Sequence, residues 1–480
     1  MIPCPGCGAG MHFDIASQKL LCDYCGTTQE VRQAGNDRSA KADTSGEDTM
    51  DVTVFTCPQC GGEIYSTDNE ASSFCSFCGA SVMLEGRLAR AARPLYIIPF
   101  KKTKEDCKQI YGDLTKRAWF SPKELKDPAY LERFRGIYLP FWVYSFEQKG
   151  EVKLKGTRED GKYLEHLSLT CDLDATYDGI SYDASSAFND ELCRCITPFN
   201  RSSVEDFLPG YMSGFYADTA DVPSRVYKTD AANDANLETI RKLEMEYGDD
   251  VHIEMPKDKS RKLHTKLKDV TMAMYPVWFL TYRQKDRVAY AVVNGETGKI
   301  AADLPVDRRK YLLGSLILAL PIFLLLVLMP VITAKKMLAV ASILALAAFV
   351  IFLLSSREIR RREERTDDKG YLSAAKGKSR EDESAEPGDD GQTKIRPAGT
   401  GSGLNKLTSA LRTILPVLGG IAGAIILAAD PVSDVYYYSG ALIVLACVCF
   451  TLMGLIGRFN LLTTRPIPEF FERKGGDDRA

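Results

Sequence analysis

Residues 57–62 read CPQCGG and residues 74–79 read FCSFCG. Two Cys-x-x-Cys pairs supply four thiolates, the full tetrahedral shell of one zinc ion, and each pair bends so that both sulfurs converge at about 2.3 Å from one metal. Residues 4–8 (CPGCG) and 22–26 (CDYCG) repeat the pattern. Each inner gap, Cys7 to Cys22 and Cys60 to Cys75, holds 14 residues, and the copies are offset by 53. Zinc ribbons are therefore expected over residues 1–30 and 52–90. Cys4, Cys7, Cys22 and Cys25 would bind one structural zinc ion, and Cys57, Cys60, Cys75 and Cys78 a second; iron or redox dithiols are the alternatives. Glycine follows the second cysteine of every pair (Gly8, Gly26, Gly61, Gly79), which suits a tight turn. A shell filled by four cysteines leaves no position for a substrate, so these metals read as structural. His12, inside the first spacer, reads as a surface residue.

The other six of the 14 cysteines (Cys107, Cys171, Cys193, Cys195, Cys447, Cys449) lack ligand-like spacing. The first residues show no basic stretch leading into an apolar one, so no secretory signal is read there. Thiols that start in a reducing compartment more often bind metal than form disulfides.

Nucleic acid is the customary partner of such ribbons, but the charge opposes it. The whole chain carries a formal charge of -3, and residues 1–90 hold 6 Lys+Arg against 12 Asp+Glu. Four thiolates on one Zn²⁺ make each site more negative still. Phosphate binding draws its affinity from basic groups that release counterions, so protein docking is the expected role. A membrane-tethered nucleic-acid-binding regulator is the alternative.

Residues 31–51 contain no aromatic residue and read as a flexible linker. From residue 94 to 305 the texture is that of a soluble α+β domain. A helical period covers residues 101–119, and Ser121-Pro122-Lys123-Glu124 suggests a capping box opening a second helix. A strand through GIYLPFWVYSF (residues 136–146) places Trp142, Tyr144 and Phe146 on one face and tolerates Pro140 only at an edge or a strand start. The sentence recurs: PFWVYSFEQKGEV (140–152) matches PVWFLTYRQKDRV (276–288), aligning Pro140 with Pro276 and Trp142 with Trp278, so the domain reads as duplicated. Residues 294–298 (NGETG) should turn residues 288–293 back into 299–303 as a hairpin.

Catalytic chemistry is not legible. The four histidines (His12, His166, His252, His264) form no metalloprotease or triad spacing, and neither a nucleophile elbow nor a phosphate loop is present. Asp172, Asp174, Asp178 and Asp183 read as the solvent face of a strand, Cys193 and Cys195 as isolated thiols, and the aromatics around Trp142 and Trp278 as core. No catalytic or cofactor-binding residue is assigned, and the chain is not expected to be an enzyme.

Beyond residue 310 the solvent changes. Uncharged or nearly uncharged runs at residues 311–332, 337–354, 413–429 and 439–457 read as four transmembrane helices, each near the ~20 residues that cross a bilayer. Residues 311–355 and 413–457 are then two helical pairs, separated by a charged, disordered loop over 356–410 and followed by a tail, 458–480. Arg308, Arg309, Lys310, Arg360, Arg361 and Arg458 flank one side, whereas DPVSDVYYYSG (430–440) has no Lys or Arg; Lys335 and Lys336 dissent. The positive-inside rule puts both termini in the cytoplasm. Gly419 and Gly423 form a small-xxx-small pair for close helix packing, and Cys447 and Cys449 read as packing residues. The fold class expected is thus multidomain: two zinc ribbons, a duplicated α+β domain and an all-α membrane part.

The paired CPxCGG and CxxCG knuckles, GIYLPFW (136–142), LPGYMSGFYAD (208–218), YPVWFLTY (275–282) and VNGETGKIAADLP (293–305), placed before membrane spans, resemble the bacterial TFIIB-type zinc-ribbon membrane proteins. Members are often labelled replication-restart helicases through the ribbon alone; this chain has no helicase loop. The resemblance covers about residues 55–309. It implies a role beside phage-shock-protein-A-like and flotillin-like (SPFH) proteins, helping to place them at the membrane. The extra N-terminal ribbon and second pair of spans depart from the simplest pattern. The expectation is a cell-membrane, multi-pass adaptor that docks cytoplasmic or membrane proteins, with a homo-oligomer as a further option and a part in membrane stress or organisation.

Overall fold

The chain opens on four short antiparallel strands, β1 (Ile2–Pro3), β2 (Gly10–Asp14), β3 (Lys19–Leu21) and β4 (Thr28–Gln29), paired in sequence order. So small a sheet cannot cover its own apolar face. Met11, Phe13 and Leu20 are buried instead against the rest of the protein. The Phe13 N–H donates to the Ser213 carbonyl at 2.9 Å, the Phe13 ring meets Tyr211 edge-on with centroids 5.4 Å apart, and the Gln18 amide donates to the Phe100 carbonyl at 2.8 Å. The protein is described here by a computed structural model over residues 2–36, 49–66, 75–81, 85–160, 163–248, 250–254, 256, 258–328, 333–363 and 403–468.

The expected linker over 31–51 is ordered at both ends. Its start is helix α1 (Val31–Asn36), with Val31 buried in the same core as Leu20, and its end begins β5 (Thr49–Thr56); residues 37–48 lie outside the described ones. With β6 (Glu63–Ser66) and β7 (Glu85–Ala92), β5 builds the second ribbon, and these strands do not stand apart. They extend a 13-stranded sheet, β6 pairing with β12 (Tyr216–Asp218) through Tyr65 and Ala217.

The remaining elements in chain order are β8 (Tyr96–Ile97), α2 (Lys104–Arg117), α3 (Pro128–Leu131), β9 (Arg135–Asp160), β10 (Tyr163–Asp183), α4 (Asp190–Ile196), β11 (Glu205–Asp206), β12, α5 (Lys228–Tyr247), β13 (Val251–Ile253), α6 (Lys259–Lys262), β14 (Thr265–Gln284), β15 (Arg287–Asn294) and β16 (Ile300–Ala302). The two repeated motifs face each other. Antiparallel β9 and β14 place Leu139 opposite Tyr275, positions that the repeat itself aligns. Strand β12 runs parallel to β9 at Ile137 and Tyr138, and β8 runs parallel to β14 at the aligned positions Ala273 and Met274. Each half therefore reads short strand, helix, long strand, hairpin strand, and lays its short strand on the other half's long one.

Pro140 is neither at an edge nor at a strand start, contrary to the sequence expectation. Strand β9 is central, and Pro140 falls where its outer neighbour changes from β12, paired at 137–138, to β10, paired from Phe141 onward. Pro276 occupies the same gap between β8 and β15. A residue without an N–H is tolerated where the ladder changes partner. The expected capping box at Ser121 is also absent: the Ser121 hydroxyl donates to the Ala118 carbonyl, and only a short 3-10 turn, Lys123–Lys126, follows. The box lies at Thr103 and Asp106, opening α2. Between β15 and β16 the turn closes as expected, with Gly298 at φ 79° and its N–H on the Asn294 carbonyl.

The main core gathers Phe100, Tyr138, Phe215 and Trp278, with Phe100 stacked on Phe215 at 4.4 Å between centroids. A Cβ at Gly136 would come within 2.6 Å of the Phe215 ring, which explains the glycine that opens the first motif. Trp142 is half-buried beside Tyr144 and Phe146, as the strand period predicts.

Among the described residues four helices follow: α7 (Arg308–Leu328), α8 (Ala334–Glu363), α9 (Gly403–Ala429) and α10 (Asp434–Leu462). Among the described residues two helices are long and apolar enough to cross a membrane, over Ala334–Ile359 and Asp434–Leu462; α9 contributes a shorter apolar stretch, Val417–Ala429. Ala341, Ala345 and Ala348 on α8 let it pack tightly against Ala441, Val444 and Val448 of α10. Gly419 abuts Cys447, and Gly423 abuts Ser342 and Val444, so the small-xxx-small pair sits where three helices meet. The expected charged loop over 356–410 is helical at both ends, up to Glu363 and from Gly403; residues 364–402 lie outside the described ones. After α10 the tail returns to the sheet as β17 (Arg465–Pro466), which pairs with β15. Arg287 donates to the carbonyls of Leu461 and Thr464, and the Asn460 amide brackets the backbone of Val306.

Candidate metal centres

Four knuckles share one backbone geometry. The carbonyls of Cys4, Cys22, Cys57 and Cys75 accept the N–H of Gly8, Gly26, Gly61 and Gly79 at 2.8–3.0 Å, while each first cysteine donates its own N–H to a carbonyl five residues on. The closing glycines hold φ between 68° and 77°, where a Cβ would be strained. This turn faces both sulfurs of a pair inward.

The sulfurs of Cys4, Cys7, Cys22 and Cys25 all lie within 4.8 Å of one another, as do those of Cys57, Cys60, Cys75 and Cys78. A tetrahedral ion about 2.3 Å from each sulfur needs sulfurs about 3.8 Å apart. Observed separations across the knuckles are 3.5 Å for Cys4–Cys25 and Cys7–Cys22, 3.9 Å for Cys57–Cys78 and 3.7 Å for Cys60–Cys75. The two clusters can therefore hold two metal ions, each in a closed shell of thiolates.

Proton sharing within each cluster agrees with that. The Thr27 hydroxyl and N–H hold the Cys25 thiol down to about 6, and Cys7, against the pull of the Ala9 N–H, is pushed up to about 12 by its neighbour Cys25. In the second cluster hydrogen bonds from Cys60, Cys75 and Cys78 lower Cys57, and Cys75 is raised by donating to Cys57. Lowered and raised thiols thus sit together in each cluster, Cys25 with Cys7 and Cys57 with Cys75, and a divalent cation that binds there would stabilise the thiolates in place of those hydrogen bonds.

Burial separates the two sites. Cys7 and Cys25 are exposed, and Tyr24 between the ligands is 85% exposed, whereas all four cysteines of the second cluster are buried with Phe55, Ile64 and Phe77. The second set of knuckles sits on the sheet. The Tyr290 hydroxyl donates to the Phe77 carbonyl at 2.7 Å, the Thr281 hydroxyl donates to the Ser76 carbonyl, and a Cβ on Gly79 would lie 3.2 Å from Thr281. Burial lowers the Arg135 guanidinium, which lies 5.1 Å from the centre of the Tyr216 ring and within electrostatic reach of Cys75. Nothing in local sequence marks Arg135, Thr281 or Tyr290; they read as ordinary strand residues.

The other candidates disperse. His12 pairs with Asp23 at 3.1 Å, outside the sulfur shell. Cys193 is buried and Cys195 exposed, so helix α4 points them to different environments. Asp172 and Asp174 are exposed on either side of buried Leu173, and Asp178 pairs with Arg201 at 3.0 Å. Asp183, expected on the solvent face, is buried. It borders an open cavity of about 380 Å³ with Asp190, Arg194 and Asp230.

No family model matches the chain, and no solved structure matches it. It is similar to the uncharacterized protein YdjG of Bacillus subtilis (strain 168), 24% identical over 315 residues that cover 64% of this chain and 90% of that one.

Proposed function

We propose that this chain is a membrane-anchored zinc-ribbon adaptor that faces the cytoplasm and docks protein partners at the inner membrane face. Two structural zinc ions, one per cysteine cluster, hold the ribbons. The observation that carries the reading is the union, in one chain, of two closed Cys4 clusters with a sheet body tied directly to apolar helices. A closed thiolate shell offers structure rather than chemistry, and the acidic ribbons disfavour nucleic acid.

Four spans with both termini inside complete the proposal. Support comes from β17, which returns to the strand β15 that precedes α7, so the chain leaves the helices on the side where it entered. Lys335, the dissenter from the charge rule, is paired with Asp430 at 2.7 Å. Ile343, Leu346, Leu442 and Met453 are exposed on the helices' outer faces, as lipid contact requires. Phage-shock-protein-A-like or SPFH proteins, the partners that the family resemblance implies, are the proposed clients in membrane stress or organisation, and no catalytic step is proposed.

Crosslinking with mass spectrometry on the full chain in its native cell tests the reading. Crosslinks from the sheet body or ribbons to cytoplasmic or membrane proteins are expected. Crosslinks to nucleic acid, with a salt-dependent DNA shift by the same chain, would replace the adaptor with the regulator. Reporters after Asp434 should lie outside and those at Gly388 inside; an external signal from Gly388 overturns the four-span arrangement.

A further inference from the structure

Trp119 is 79% exposed, whereas the other two tryptophans donate their indole N–H to the carbonyls of Val222 and Lys102 inside the body. It lies on the short loop after α2, and that loop is seated on the first turns of α7. The Asp307 N–H donates to the Phe120 carbonyl at 2.7 Å and the Lys310 ammonium to the Ser121 carbonyl at 2.6 Å. Phe120 meets Tyr311 edge-on at 5.2 Å, and a Cβ on Gly314 would lie 2.5 Å from the Phe120 ring, so the helix leaves room for it.

Beside the loop an open cleft of about 340 Å³ is lined by Arg117, Trp119, Phe120, Leu304, Pro305 and Phe459. Arg117 lines it, and Lys116, Lys123, Arg308 and Arg309, within three residues of its lining in sequence, are exposed; the acids in the same stretches are Asp113, paired with Lys116 at 2.8 Å, Glu124 and Asp307. Immediately along α7, Leu312, Leu313, Leu316 and Ile317 are exposed. An exposed indole and a collar of cations at the foot of an exposed apolar helix match the headgroup boundary of a bilayer, where aromatic rings settle and basic groups meet anionic phosphates.

We propose that residues 117–121 form a lipid-contacting foot, with the Trp119 ring among the headgroups of an anionic phospholipid leaflet and Arg117 at phosphate level. The foot seats the sheet body on the membrane, beyond what the spans do. This inference rests on the membrane reading of the helices.

The test uses the full chain in phosphatidylglycerol-containing vesicles whose lipids are brominated near the headgroup end of the acyl chains. Bromine should quench one of the three tryptophans, and the loss should vanish in Trp119→Phe, a change that keeps an apolar ring. Quenching should weaken when neutral phosphatidylcholine replaces the anionic lipid; equal quenching there overturns the anionic assignment. Retention through an alkaline carbonate wash reports on the spans alone. A washed-out chain defeats the membrane reading, whereas a retained chain whose Trp119 emission is quenched by aqueous iodide and untouched by bromolipid defeats only the foot.

Discussion

The two ribbons have the same four-cysteine spacing and the same knuckle hydrogen bonds, yet one carries half of its ligands on the surface and the other none. The first is a four-stranded module leaning on the body through Phe13 and Gln18; the second is woven into the sheet through β6 and roofed by Thr281 and Tyr290. Ligand geometry is thus a local property of the knuckle, whereas how far the fold would depend on a metal held there is a property of the surroundings.

The largest contrast should come from removing each metal. A structural zinc ion in a small ribbon is worth about 10–16 kcal/mol, comparable with the ~5–15 kcal/mol that holds a whole domain. Cys57→Ser with Cys60→Ser should lose one ion by metal analysis and abolish the cooperative melt of the sheet body. Cys4→Ser with Cys7→Ser should lose one ion and leave that melt in place. A chelator should strip the wild type in two phases, the fast one missing from the Cys4/Cys7 variant. Equal melting losses, or a single phase, would break the distinction between a leaning and a woven ribbon.

A smaller effect sharpens it. Tyr290→Phe leaves the buried Phe77 carbonyl without its donor, at a cost of about 1–3 kcal/mol, while Tyr24→Phe on the exposed tip of the first ribbon should change stability by less than about 0.5 kcal/mol. Urea unfolding of both variants reads the difference directly. A Tyr24 effect as large as that of Tyr290 would mean that the first ribbon is also roofed.

The smallest effect is a pH dependence placed away from both ribbons. Burial alone would raise the Glu296 carboxyl, but hydrogen bonds from Ser203, the Asn200 N–H and Lys101 outweigh it and hold the group below its usual value. A carboxylate with a depressed folded pKa adds stability that is present above the unfolded value, 4.5, and lost as pH falls through the folded one. Glu296→Gln should therefore flatten the acid limb of the stability curve. The order of metal release from the two clusters should stay unchanged in that variant. Unaltered acid sensitivity would show that thiol protonation alone sets the limb.

Much of the site was legible because its rules are local. Two cysteines three apart and a glycine after them dictate a knuckle wherever they stand, and the NGETG turn is set by residues within one bend. The repeat made Trp142 and Trp278 recognisable as strand aromatics for the same reason. Illegible were the features made by residues far apart in sequence. The parallel pairing of β8 with β14 joins residues almost 180 apart, and no period in either segment foretells it. Pro140 looked like an edge residue because the rule for proline concerns the neighbour strand, which sequence does not name. The spacing at Ser121-Pro122 fits a capping box as well as that at Thr103; tertiary contact with Lys310 and Asp307 diverts the Ser121 loop instead.

Strand β17 has a mechanical consequence. A body attached to a rod by a single strand can swivel about it like a flag on a cord. Here two segments join the sheet to the helices, one running from β16 into α7 and one from α10 into β17, both strands paired with β15, and the Asn460 amide clasps the Val306 backbone across them. Such a double connection resists torsion while still allowing the body to rock. The sheet therefore keeps a fixed azimuth relative to the helices, and whatever surface it offers is always offered in the same direction.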